Sequence, residues 1–304
     1  WIGRGLSVIC SGITIWLVIR LGRRWFNPAA GWWGGMALAV VPLGVHYGRA
    51  FQAESLLLLC AAVAIEAHSI WVERQADWAI ALSWIAFTLA ALIKVIPLLW
   101  LGLPLLIIQL TPSPQAKAEN TRQVLLRFLH LLRNPYFWIY ALTAVAATSA
   151  WYYHAYQLGE ASGHTFGFWG SDSDRSNLGL VLNFTSWLDL GIRVGTRGFA
   201  IVGIPFFILG IIQSRKTGSG QIIIGGLIGL LLCTTATMRS STVHEYYQLP
   251  LLIFGAPLIG IGWQSWSSEK KQWLNRIIPT LGLVISILVL SIDYWAIEAQ
   301  QQPT

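Results

Sequence analysis

Residues 55–72, SLLLLCAAVAIEAHSIWV, form a long apolar run in which Glu66 and His68 are the main polar interruptions. The run approaches the roughly 20 residues that an α-helix needs to cross the hydrocarbon core of a bilayer. Inside a bilayer the backbone must satisfy its own hydrogen bonds, which a helix does and an open strand does not. The stretch therefore predicts a transmembrane helix.

Further apolar runs of the same kind extend along the whole chain. Lys94 and Pro97 favour reading the longest of them, residues 78–110, as two spans. The runs predict an all-α fold, a multi-pass transmembrane helical bundle of about 10 spans that forms a single domain over residues 1–304. Besides 55–72 they are 6–19, 32–45, 78–93, 95–110, 136–150, 199–212, 221–237, 249–263 and 277–295.

The composition excludes several classes of protein. Hydrophobic residues make up 55% of the chain and charged residues 11%, whereas a soluble domain carries roughly 25% charged residues. Disordered chains are polar and poor in aromatic rings, but this chain has 17 Trp and 9 Tyr, which suit membrane–water interfaces. The net charge of +7 is scattered between apolar runs, so it indicates orientation in a membrane and no nucleic-acid partner.

The cations predict which side of the membrane each loop occupies. Thirteen of the 20 Lys and Arg residues fall on one side if the runs alternate, and that side is then cytoplasmic. Residues 111–135 form the longest inner segment, read as a membrane-hugging linker. Residues 151–198 form the longest outer segment, and the amphipathic part 178–194 predicts a helix lying in the interface. We therefore expect an integral plasma (inner) membrane protein.

Polar side chains gather at the predicted outer ends of the spans. Placing such groups next to lipid costs free energy, so their presence there suggests a function. In residues 46–54, Arg49 could hold a phosphate, Gln52 lies beside it, and Glu54 could act as a base or orient an acceptor. The alternative is a local Arg–Glu pair that caps a helix. Lys94 stands alone among apolar residues, so it either snorkels to the surface or meets an anion such as a lipid phosphate.

A second cluster occupies residues 238–250. Aromatic rings beside amide and carboxylate groups suit sugar binding, although an aromatic belt with a solvated turn explains them too. The candidate side chains are Arg239, His244, Glu245, Tyr246 and Tyr247. Residues 164–175 suggest either a lid or an ordinary polar loop. Glu66 and His68 are interpreted as structural.

Three stretches carry a resemblance to a known family. They are PLGVHYGRAFQAE at 42–54, followed by an apolar helix, ALIK at 91–94, and HEYYQLP at 244–250. Together they resemble the polytopic membrane glycosyltransferases of family 39 in the GT-C superfamily, which include protein O-mannosyltransferases and bacterial aminoarabinose-type transferases. The resemblance implies a polyprenyl-phosphate-linked sugar donor, an acceptor hydroxyl on a lipid, glycan or protein, an active site on the outer face, and inversion.

One feature of the family is missing from the sequence. Its leading catalytic acid lies in the first outer loop, and the chain, which begins at Trp1, has no matching residue. We therefore expect a fragment that lacks the first helix and first outer loop, is inactive alone, and keeps Glu54 as a secondary acid. No cofactor is expected, and a divalent metal stays open because no ligand set stands out.

The alternative function is a secondary transporter or flippase of a lipid-linked saccharide. Transporters favour internal repeats and ionisable groups near the midplane of the membrane. Here the ionisable residues near the membrane cluster at the outer ends, apart from Glu66 and His68, and no repeat of fixed period is found. Both observations favour the enzyme.

Overall fold

The computed structural model describes residues 2–111, 121–163, 178–215, 217–267 and 273–295, and the regular elements within these ranges are helices and helical turns. The predicted all-α class is therefore confirmed. The helices are α1 (Ile2–Trp25), α2 (Pro28–Val40), α3 (Pro42–Arg49), α4 (Glu54–Arg74), α5 (Asp77–Ile93), α6 (Pro97–Trp100), α7 (Gly102–Leu110), α8 (Thr121–Leu132), α9 (Pro135–Ser162), α10 (Leu178–Leu182), α11 (Phe184–Arg193), α12 (Gly203–Ser214), α13 (Gly218–Ala236), α14 (Met238–Val243), α15 (Leu251–Ser267) and α16 (Leu274–Val289). Shorter turns of π type (Val194–Gly198 and Leu290–Trp295) and 3₁₀ type (Glu245–Gln248) complete them.

Asn-Pro pairs begin two of these helices. The side chain of Asn27 accepts a hydrogen bond from the backbone N–H of Ala30 at 3.0 Å, and Pro28 is the first residue of α2. Asn134 and Pro135 start α9 in the same way. An Asn side chain satisfies an N–H that the helix leaves unpaired, and proline has none to lose. The local sequence thus fixes where both helices start.

Four helical segments in the described part of the chain are long and apolar enough to cross a membrane. Two further pairs qualify as single broken spans, with bends of 64° between α2 and α3 and of 100° between Phe184–Gly198 and α12. The count of about 10 spans stays a prediction. The chain breaks inside residues 78–110 as expected, because α5 ends at Ile93 and Lys94 has an extended backbone. That each half is a span stays a prediction.

Contacts between distant residues identify the two ends of the bundle. At one end, Glu54 at the start of α4 pairs with Lys94 just after α5, so these consecutive helices are antiparallel. At the other end, Glu66 of α4 pairs with Arg20 at 2.8 Å and with Arg24 at 3.0 Å, both on α1. We call these the Glu54 end and the Glu66 end.

His68 is buried near the Glu66 end. Its Nδ1 lies 3.2 Å from Ser83 Oγ on α5, and its Nε2 lies 2.8 Å from Gln109 Nε2 on α7. Glu66 and His68 therefore join neighbouring helices, in agreement with their structural interpretation.

Helix α15 lies at the centre of the bundle, packed between α2 and α12. Glycines allow the backbones to approach closely, as is common where helices meet inside membranes. A Cβ atom at Gly34 of α2 would lie 2.7 Å from the carbonyl oxygen of Ala256 on α15. On the opposite side, a Cβ at Gly262 of α15 would collide with the carbonyl oxygen of Phe206 on α12.

The two long predicted loops contain more helix than the sequence indicates. Segment 111–135 includes α8, on which Leu125, Leu126 and Leu129 are exposed; residues 112–120 lie outside the described part of the chain. Helix α9 continues to Ser162, so the first 12 residues of segment 151–198 are helical.

The predicted interfacial helix 178–194 divides at Asn183, whose side chain accepts a hydrogen bond from Thr185 N–H and begins α11. The leucines of this segment differ in exposure: Leu190 is buried, whereas Leu178 and Leu182 are exposed. Placement of this segment in the membrane interface stays a prediction.

Candidate functional site

The Glu54 end brings all three motif stretches together. Glu54, only 7% exposed, is the first residue of α4, and Lys94 follows the last residue of α5. Lys94 Nζ lies 2.5 Å from Glu54 Oε1, although 40 residues separate them in sequence. A hydrogen bond between two charged groups is stronger than a neutral one, so this pair fixes both side chains.

Aromatic rings cover the ammonium group of Lys94. Its Nζ lies 4.0 Å from the ring centroid of Tyr246 and 4.9 Å from that of Tyr247, within the range of cation–π attraction. The two tyrosine rings stack with their centroids 5.1 Å apart, and the ring of His244 stacks on Tyr246 at the same distance. We call residues 244–248 the aromatic turn.

The carboxylate of Glu245, in the same turn, faces away towards other segments. It accepts a hydrogen bond from the hydroxyl of Tyr47 at 3.2 Å and forms an ion pair with Arg197. Arg197 also donates through Nε to Asp293 Oδ2 at 3.1 Å. The sequence singles out none of Tyr47, Arg197 and Asp293 as site residues. Tyr47 does lie inside the first motif, whereas Asp293 lies in the last apolar run without any signal.

The other predicted site residues lie around this cluster. The guanidinium of Arg49 lies 5.6 Å from the ring centroid of Trp295. Gln52 is exposed in the turn between α3 and α4, and Arg239 is exposed on α14. Glu54 begins α4 and pairs with Lys94 across to α5. The local pair of Glu54 with Arg49 stays a prediction. The candidate lid, residues 164–175, falls on residues 164–177, outside the described part of the chain.

The surroundings of Tyr246 in this cluster change the pKa of its hydroxyl. Burial, together with the nearby Tyr247 and the carboxylate of Glu54, raises the pKa of Tyr246 to about 12. The phenol is therefore protonated at neutral pH and able to donate a hydrogen bond. Lys94 has three N–H donors and gives one to Glu54, and its side chain is 24% exposed, so donors are left for a ligand.

The cluster offers two carboxylates, an ammonium with donors to spare and stacked aromatic faces, all at one end of an apolar bundle. Such a set can bind an anion next to a sugar ring and can orient a hydroxyl group. Within the described residues, no three His, Cys, Asp or Glu side chains group as metal ligands.

Comparison with known proteins assigns this chain to a class, the polytopic helical membrane proteins of the GT-C type. Residues 1–154 match the family model of dolichyl-phosphate-mannose-protein mannosyltransferase, and the chain belongs to this family of glycosyltransferases. Among curated proteins, no sequence matches it.

A solved structure supports the same fold. The chain is similar to ArnT from Cupriavidus metallidurans in the apo state, with a TM-score of 0.55 and 16% sequence identity. The similarity covers 88% of this chain and 47% of ArnT, so the chain spans about half the length of that protein. Together with the apolar helices, the match supports an integral membrane protein.

Proposed function

We propose that this protein is a membrane glycosyltransferase that moves a sugar from a polyprenyl-phosphate donor to an acceptor hydroxyl at the outer face of the membrane. The observation that carries the proposal is Lys94, held between the carboxylate of Glu54 and the rings of Tyr246 and Tyr247. Membership in a glycosyltransferase family supports it.

Lys94 binds the phosphate of the donor in this proposal. Its ammonium lies at one end of an apolar bundle, and in this proposal the phosphate of the lipid-linked donor approaches that end at the membrane surface. Glu54 keeps the ammonium in place through one N–H, while the others face the phosphate. The positive charge also stabilises the phosphate as it leaves, when its negative charge increases.

The transfer itself is a single displacement. The acceptor oxygen attacks the anomeric carbon, the bond from that carbon to the phosphate oxygen breaks, and polyprenyl phosphate leaves with the bonding electrons. The hydroxyl proton passes to a carboxylate acting as general base. Attack opposite the leaving group inverts the anomeric configuration. Glu54 Oε1 already accepts a hydrogen bond from Lys94. We therefore treat Glu54 as a secondary acid that orients the acceptor hydroxyl.

The remaining candidate residues bind substrate in this scheme. Tyr246, Tyr247 and His244 offer ring faces on which a sugar can stack, and Glu245, whose two oxygens meet Tyr47 and Arg197, contributes by placing these rings. We assign Arg49, Gln52 and Arg239, near this cluster, to binding of the donor and the acceptor. The acceptor is a hydroxyl of a lipid, a glycan or a protein.

A transfer assay tests this function. The protein, expressed from its complete gene, is reconstituted in liposomes with polyprenyl-phosphate mannose, the donor type that the family description suggests, and a panel of hydroxyl acceptors. We expect a glycosylated product with inverted configuration by NMR. The Lys94→Met variant keeps the apolar stem and should lower donor use by about 10- to 100-fold, the effect of one hydrogen bond to a charged group.

Arg4→Met is the matched control, since Arg4 is an exposed cation near the start of α1. It should leave transfer unchanged. Unaltered donor use in Lys94→Met would assign the phosphate to another cation. Movement of labelled lipid-linked sugar between leaflets, with no transfer to any acceptor, would favour the flippase alternative.

A further inference from the structure

Two arginines on one helical face reach the same neighbouring segment. Arg193, the last residue of α11, donates to the carbonyl oxygens of Ser241 at 3.3 Å and Thr242 at 2.9 Å. Arg197, one helical turn later, forms an ion pair with Glu245. The two guanidinium groups therefore hold residues 241–245, which lead into the aromatic turn.

Arg197 also ties this segment to the end of the last helix. Its Nε donates to Asp293 at 3.1 Å, and its guanidinium lies 5.4 Å from the ring centroid of Tyr294. From the opposite side Tyr47 of α3 donates to Glu245 at 3.2 Å. Glu245 is thus held by side chains from two segments that are distant in sequence.

The backbone hydrogen bonds across the aromatic turn are long. Its Glu245–Gln248 part is a four-residue 3₁₀ turn, in which the N–H of Tyr247 meets the carbonyl oxygen of His244 at 3.4 Å and the N–H of Leu249 meets that of Tyr246 at 3.2 Å. Short 3₁₀ turns have weak hydrogen-bond geometry. Its position, and with it the position of the Tyr246 and Tyr247 rings against Lys94, therefore depends on the contacts made by Glu245 and by the preceding carbonyls.

We propose that Arg193 and Arg197 are positioning residues, an arginine clamp that holds the aromatic turn in the place where it receives the lipid-linked donor. The role of the turn in donor binding rests on the proposed function, whereas the clamp itself is independent of it. Neither arginine needs to touch substrate. Each acts through the backbone or through Glu245.

Hydrogen–deuterium exchange tests the clamp without any assay of transfer. In the reconstituted protein, Arg197→Met and the charge-neutralising Glu245→Gln should both speed exchange in peptides that cover residues 241–250. Peptides from α4 and α13 should keep their exchange rates. Arg4→Met, an exposed arginine on another helix, should change neither region.

Steady-state kinetics test the consequence for donor binding. Arg197→Met should raise the KM for donor by about tenfold, the effect of one charge-assisted hydrogen bond, and leave the KM for acceptor unchanged. A purely structural role would lower the amount of folded enzyme, which reduces apparent kcat and alters neither KM. Arg197→Lys keeps a positive charge and should recover part of the donor affinity.

The outcomes separate the two proposals. Normal exchange at residues 241–250 in both Arg197→Met and Glu245→Gln would overturn the clamp. Faster exchange with an unchanged donor KM would overturn the link between the clamp and donor binding. Absence of transfer in the unmodified protein would count against the proposed function alone, because the exchange measurement would still decide the clamp.

Discussion

Tyr246 shows how the candidate site controls the charge of a single residue. Its ring lies against a cation, which favours the phenolate, but burial and the carboxylate of Glu54 oppose ionisation. Burial is the largest of these effects, so the pKa rises from 10 to about 12. Because the phenol beside Lys94 is neutral, it adds no negative charge to that of Glu54. The ammonium can therefore still attract an anionic ligand.

A pH titration checks this at the residue scale. Because the pKa of Tyr246 is higher in the folded state than the unfolded value of about 10, its contribution to stability is complete below pH 10. It is then lost as the pH rises towards about 12. The tyrosinate absorbance of the protein minus that of Tyr246→Phe should show a midpoint close to 12.

The Glu54→Gln variant identifies the cause of the shift. Removing the carboxylate should lower the midpoint for Tyr246, but burial should keep it above the unfolded value. A midpoint at the unfolded value in the unmodified protein would show that the ring is solvated, and the packing described for the aromatic turn would then be incorrect.

Helix α15 illustrates the element scale, because its neighbours approach it more closely than a Cβ atom allows. Gly260 faces the backbone of Ala30 and Gly34 on α2, and Gly262 faces that of Phe206 on α12. Backbone atoms cannot rotate away as a flexible side chain can. A methyl group at either position therefore has to push two helices apart.

We predict that Gly262→Ala destabilises the folded bundle by roughly 1–3 kcal/mol, the usual cost of overpacking. The measurement is the midpoint of thermal unfolding in detergent micelles. Gly12→Ala on α1 is the matched control, since a Cβ there meets nothing within 4 Å. Equal midpoints for the two variants would show that α12 and α15 are farther apart than described.

At the scale of the whole molecule, the ion pairs described above lie in two groups at opposite ends of the bundle. One end carries Glu54 with Lys94 and Glu245 with Arg197, and the other carries Glu66 with Arg20 and Arg24. The excess of cations in loops of the Glu66 end predicts that this end faces the cytoplasm. The Glu54 end then faces outwards, as the proposed function requires.

Cysteine labelling of intact cells with a membrane-impermeant reagent checks the orientation. The native Cys10, Cys60 and Cys233 are buried, so their background labelling should be low. Ala53→Cys, exposed just before α4, should be labelled from outside, and Asp77→Cys, exposed at the start of α5, should not. The reverse pattern would invert the orientation and exclude an outward-facing site.

Local features of the sequence predict much of the fold. Apolar runs mark the helices, Asn27 and Asn134 mark two of their starts, and Lys94 with Pro97 marks a chain reversal. The bend between α2 and α3 falls at Val41, directly before Pro42, a break signal that reading residues 32–45 as one apolar run leaves unused. The amphipathic helix α8 is hidden, since its segment begins with prolines and cations that read as a linker.

The sequence predicts which motif residues gather at one end of the bundle, but not the partners that they meet there. Charges at helix ends next to lipid need partners, so Glu54, Lys94 and residues 244–248 could be expected to share one end. Their partners could not be expected. For Lys94 the sequence leaves two roles open, snorkelling and binding an anionic ligand, whereas in the structure its ammonium pairs with the carboxylate of Glu54. Asp293 lies in an apolar run that predicts a simple span.

The sequence by itself determined that this protein is a bundle of membrane helices with polar motifs at their ends. Run length, composition and helix caps are local properties, and the need to satisfy backbone hydrogen bonds in lipid leaves few alternatives. The tertiary structure alone decided that Glu54 meets Lys94, that Arg197 joins Glu245 to Asp293, and that glycines seat α15 between α2 and α12. These pairings depend on which helix ends pack side by side, and that is settled by the packing of the whole bundle rather than by any one segment.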